Sequence, residues 1–112
     1  MTKVDRALAN ESAQIAIANP TNPELLAHGV RTSLQCFAEQ NPGRAVEVRV
    51  PPYLAIQILG GTTHRRGTPP AVVEMSPQTW LELFIKKLTW ADAVATGKII
   101  ASGERSDLSE LF

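Results

Sequence analysis

Cysteine is almost missing from this 112-residue chain, and a lone Cys36 forms neither an internal disulfide nor a multi-cysteine zinc site. A reducing, cytoplasmic setting is the expectation. Excess charge of either sign is missing too. Eleven Lys and Arg balance eleven Asp and Glu, and the balance holds within residues 1–56 and within residues 57–112, so nothing marks a nucleic-acid binder. No long apolar run exists. The longest stretch without a charged residue, Val50 to His64, contains Pro51, Pro52, Gly60 and Gly61, which argues against stable membrane insertion, and the N-terminus lacks the unbroken apolar core of a signal peptide. A G-x-S-x-G elbow, a P-loop and a G-x-G-x-x-G pattern are all absent. No His, Cys, Asp or Glu stands at ligand spacing around His28 or His64, so no metal and no cofactor is expected, and no catalytic residue suggests itself. Cys36, beside Phe37 with no basic sequence neighbour, reads as a buried, inert thiol.

What remains is apolar content of 44% against 20% charged residues, enough for one folded domain over residues 1–112 without staples. Its N-terminal part, residues 1–43, reads as two helices. Val4, Leu8 and Ile15 share a face of a helix over 2–18 that Asn19-Pro20 stops. Thr21 and Glu24 then predict a capping box, Leu26, Val30, Leu34 and Phe37 an apolar stripe, and Asn41-Pro42-Gly43 an end.

In residues 44–112 the period changes. Val46, Val48 and Val50 alternate with Glu47 and Arg49, which predicts a strand with one wet face. Tyr53 to Leu59 is nearly as apolar on both faces, and is expected to be covered on both sides or to face a cavity. A polar loop from Thr62 to Thr68 leads through Pro69-Pro70 to a short strand, Ala71 to Met75. Ser76-Pro77 starts a helix with Leu81, Phe84, Ile85 and Leu88 as its stripe, and Thr89 with Asp92 starts another, in which Trp90 and Val94 lie one turn apart and Gly97 closes the end. Lys98 to Ser102 returns as a strand, and Asp107 with Glu110 caps a last turn. The order predicts an α+β fold with helices on one face of a small, largely antiparallel sheet.

The residues VEVRVPPYLAIQ, HRRGTPPAVVEMSPQTWLEL and LTWADAVATGKIIASGERSDLSEL resemble the sterol carrier protein family, most closely its bacterial, mainly actinobacterial, branch. The resemblance rests on an R-V-P-P-Y segment at Arg49–Tyr53, R-G-T-P-P-x-V-V-E at Arg66–Glu74, T-W-L at Thr79–Leu81 and the closing stretch Trp90–Ser109, in that order. It implies a mixed sheet covered by helices, with an apolar tunnel for acyl chains, sterols or their coenzyme A esters. A related domain forms the C-terminal part of mycothiol-dependent maleylpyruvate isomerases, whose metal-binding N-terminal domain has no counterpart here. The sequence stops at Leu111-Phe112, before a segment that helps to close the tunnel in some carriers.

If a tunnel exists, its walls are expected from Leu54, Ile56 and Ile58 of the second strand and from Leu81, Phe84 and Ile85 of the third helix, with His64, Arg65, Arg66 and Gly67 as a polar mouth. Two guanidinium forks beside a backbone freed by Gly67 suit a carboxylate or phosphate, while the plainer reading of that loop is a solvated connection stiffened by prolines. Trp80, Trp90 and Phe84 read as core. The expected function is a non-enzymatic carrier for an apolar or acyl-chain small molecule. Its rivals are a protein-interaction module with a fully packed core, docking through the HRRGTPP loop, and an accessory domain of a partner enzyme.

Overall fold

A computed structural model describes residues 4–60, 71–103 and 106–112. Asp5 opens α1 (Arg6–Ala18) by accepting the Ala7 N–H at 2.9 Å. The helix turns an unexpected side inward. Leu8 and Ile15 are 58% and 42% exposed, and the buried face is Ala9, Ala13 and Ala16. The reason lies in α2 (Pro23–Gln40), where a Cβ on Gly29 would stand 2.6 Å from the Ala16 Cβ and 2.9 Å from the Ser12 carbonyl oxygen. Two helices this close leave room only for small side chains, so the larger ones are pushed outward.

Asn22, not Thr21, caps α2, accepting the N–H groups of Glu24 and Leu25 at 3.1 Å each. Pro23 follows at the first helical position, where its missing N–H costs nothing. The predicted stripe holds, with Val30, Leu34 and Phe37 buried and Leu26 half-buried, and Asn41 ends the helix.

β1 (Val46–Val50), β2 (Leu54–Ile58), β3 (Ala71–Met75) and β4 (Ile99–Ser102) form one sheet in the order β2-β1-β3-β4. The two outer pairings are antiparallel, and the central β1–β3 pairing is parallel. Val46, Val48, Val50, Ala71 and Val73 are buried on the inner face, and Glu47, Arg49, Val72 and Glu74 are half-buried on the outer one. β2 departs from expectation. Its second face, Ala55 and Gln57, is exposed, because the helices cover one side of the sheet only.

Ser76 caps α3 (Pro77–Phe84), accepting the Thr79 N–H at 3.2 Å. The helix is shorter than its apolar spacing predicts. Ile85 is the C-cap and Leu88 lies beyond it, half-buried in the connection. Thr89 caps α4 (Trp90–Ala95) through the Asp92 N–H. Trp90 is buried, but Val94 is 49% exposed, since a helix of less than two turns has only Trp90 and Ala93 facing inward. Leu108 returns to the core ahead of a closing 3-10 turn, Ser109–Leu111, whose first N–H is taken by Asp107. No helix of the described residues is long and apolar enough to cross a membrane.

Candidate functional site

The candidate apolar wall is built by register. Val50, Val48 and Val46 stand opposite Leu54, Ile56 and Ile58. All three valines are fully buried, and so is Ile58, but Leu54 and Ile56 are half-buried because β2 is the edge of the sheet. α2 packs along β2, and α3 packs against α1 and α2. Leu81 and Phe84 are 0% and 2% exposed. All six proposed wall residues therefore belong to one apolar cluster, with Ile58, Leu81 and Phe84 inside it and Leu54, Ile56 and Ile85 on its margin.

His64, Arg65, Arg66 and Gly67 lie outside the described residues. The anchors of their segment are described. Ile58 and Ala71 both stand opposite Val46, on its two sides, so β2 ends and β3 begins at one end of the sheet, where Gly43 bridges Gly60. Leu54 lies four residues away along β2, about 13 Å at strand rise. Of the two acidic residues in the strands of that sheet, Glu47 pairs with Arg49 on its own strand, and Glu74 stands beside Arg49 in register.

Behind the wall is an aromatic cluster. Phe37, Phe112 and Trp90 form a column of nearly parallel rings, with centroids 5.1 and 5.7 Å apart and interplanar angles of 18° and 12°. Trp80 meets Phe37 edge-on, and its indole N–H donates to the Ser33 hydroxyl at 2.7 Å. That hydroxyl donates in turn to the Gly29 carbonyl at 2.6 Å. Trp80, Phe84 and Trp90 are all buried, as core residues.

Arg6 ties α1 to this layer. Its guanidinium donates to Gln40 Oε1 at 2.9 Å and to the Phe84 carbonyl at 3.2 Å, and lies 4.1 Å from the centroid of the Phe84 ring. Cys36 is 1% exposed, and burial pushes its thiol pKa up. The fold gives it the basic neighbour that its sequence position lacks, since the positive charge of Arg6 acts in the opposite, lowering direction. Burial is the larger effect, and a thiol held protonated is a poor nucleophile. His28 is exposed on α2, and among the described residues no three His, Cys, Asp or Glu come together.

Described residues also line surface concavities. One of about 320 Å³ lies at the α3–α4 corner, between Leu83, Lys86, Leu88, Trp90 and Phe112. Two more, about 330 and 300 Å³, adjoin at the end of the open sheet face, sharing Pro51 and Glu74, and Leu54 lines the second of these. Lys86 and Phe112, which line the first of these, are not among the site residues the sequence singles out. The one signal available is the pair Lys86-Lys87, which interrupts the apolar stripe that predicts a helix reaching Leu88.

Helices laid on one face of a four-stranded mixed sheet, with a continuous apolar layer between them, define an α+β fold of the sterol-carrier type. A family model described as "bacterial SCP ortholog" matches residues 23–112. The chain belongs to that bacterial sterol carrier protein-like family, whose domains are generally of the carrier kind. The matched segment begins at the first residue of α2, so α1 lies outside it. A search of curated proteins finds no match.

Proposed function

We propose that this chain is one non-enzymatic, cytoplasmic carrier domain that holds an apolar or acyl-chain molecule between its helices and its sheet. The observation that carries the reading is the family match over residues 23–112. Leu54, Ile56, Ile58, Leu81, Phe84 and Ile85 line the site in this proposal, and His64, Arg65, Arg66 and Gly67 form its polar mouth. Support comes from the uneven burial along β2. A close-packed interior admits a ligand only where its layers part, and half-buried Leu54 and Ile56 at the sheet edge are where parting costs least.

Titration with a fluorescent fatty acid tests the proposal. Saturable one-to-one binding is expected, lost in Ile56→Trp while the protein still unfolds cooperatively. Arg65→Ala/Arg66→Ala is expected to weaken the free acid and to leave its neutral ester unaffected. A well-folded protein with no saturable acyl-chain binding removes the carrier reading.

One observation favours a second reading, a protein-interaction module or accessory subunit with a filled core: Ile58, Leu81 and Phe84 are already packed to 2% exposure or less. Native mass spectrometry of protein from its own host separates the two, by a co-purifying lipid or a co-purifying polypeptide.

A further inference from the structure

Helices α3 and α4 end in the same way. Beyond the C-cap Ile85, the N–H of Lys86 donates to the Leu83 carbonyl at 3.1 Å and that of Lys87 to Glu82 at 2.9 Å. Beyond the C-cap Thr96, the N–H of Gly97 donates to Val94 at 3.1 Å and that of Lys98 to Ala93 at 2.9 Å. Both motifs need a left-handed residue at their first position past the cap, with φ of +66° at Lys86 and +72° at Gly97. Glycine adopts that conformation freely, and a lysine is strained there. One molecule thus uses glycine at one copy of a backbone motif and accepts the strain of a long cationic side chain at the other.

The strained lysine lines a cavity. The concavity of about 320 Å³ at the α3–α4 corner is apolar on Leu83, Leu88, Trp90 and Phe112, and polar at Lys86 and Thr89. Its volume lies at the small end of the roughly 300–1,000 Å³ typical of ligand pockets. Trp90 and Phe112 stack face to face at 5.7 Å with their planes 12° apart, so they offer the concavity the rim of the stack, and Leu83 and Leu88 complete its apolar wall. Among the described residues the sole ion pair is Arg49 with Glu47, and Lys86 has no acidic partner.

We propose that this corner is a binding site for a small aromatic carboxylate, whose ring packs against Leu83, Leu88 and the rim of the Trp90–Phe112 stack while Lys86 takes its charge. A small apolar wall of two leucines and an aromatic rim calls for a compact hydrophobic body, and a cation at its edge for one anionic group. The site is separate from the proposed acyl-chain site, in which none of these residues takes part.

2-Naphthoate and its neutral carboxamide are the probes, titrated against the full chain with the indole N–H resonances of Trp80 and Trp90 as reporters. Saturable naphthoate binding that shifts Trp90 is expected. Lys86→Gly is expected to weaken naphthoate about tenfold or more, to leave the carboxamide unchanged, and to melt no lower than the parent, because glycine relieves the strain. Lys86→Gln should show the same loss without the backbone change. An excess of long-chain fatty acid should leave naphthoate affinity unchanged. No saturation at millimolar naphthoate, undiminished binding by Lys86→Gly, a shift confined to Trp80, displacement by the fatty acid, or a lower melting temperature for Lys86→Gly would each overturn the proposal.

Discussion

The indole N–H of Trp80 on α3 donates to the hydroxyl of Ser33 on α2 at 2.7 Å, with both residues fully buried. Among the described residues it is the one hydrogen bond that joins these two helices. Ser33→Ala leaves the indole N–H without its acceptor, and an unpaired buried donor costs about 1–3 kcal/mol. Urea unfolding should show that loss for Ser33→Ala, and Ser33→Ala in a Trp80→Phe background should cost distinctly less, since the donor is then gone.

Gly29 is expected to reject the smallest possible side chain. Alanine is the better helix former by about 1 kcal/mol, yet its methyl would lie 2.6 Å from the Ala16 Cβ and 2.9 Å from a backbone oxygen of α1. Overpacking of this kind costs about 1–3 kcal/mol, so Gly29→Ala should lower stability on balance. Adding Ala16→Gly should restore part of the loss in a thermal melt.

Cys36 should resist alkylation in the folded protein and react once the protein is unfolded, because burial keeps its thiol protonated. The same shift sets a pH dependence. A thiol whose folded pKa is raised stabilises the fold fully below the unfolded value of about 8.5, and that contribution is lost as pH rises from there toward the folded value. Between pH 7 and pH 10 the parent should therefore lose stability faster than Cys36→Ala, read as the difference of their melting temperatures.

The element order was legible because turn residues and period changes mark it: Asn41-Pro42-Gly43, the valine alternation of β1, and Ser76-Pro77 each stand where the fold uses them. Faces were harder. Leu8 and Ile15 outrank alanine on any hydrophobicity scale, but the inner face of α1 was decided by Gly29, a residue of another helix, through distance of approach rather than through transfer energy. Likewise, the apolar composition of β2 did not reveal that Ala55 and Gln57 would be left open, because strand order decides which faces are covered. At the α3–α4 corner the missing information was a backbone angle. Lys86 lies three residues past the end of the T-W-L-E-L run by sequence, and only its φ of +66° sets it apart from Lys87.

The parallel pairing of β1 with β3 also orders events during folding. β1 and β2 are joined by three residues and close a short loop when they pair, whereas Val46 and Ala71 lie far apart along the chain and pair at a higher loop-closure cost. α3 follows β3 directly through Ser76, so Trp80 reaches Ser33 and the ring of Phe37 only when that distant strand has docked. Closing the β1–β3 pairing thus carries the aromatic residues of α3 onto those of α2, so that one long-range strand pairing completes both the sheet and this part of the layer above it.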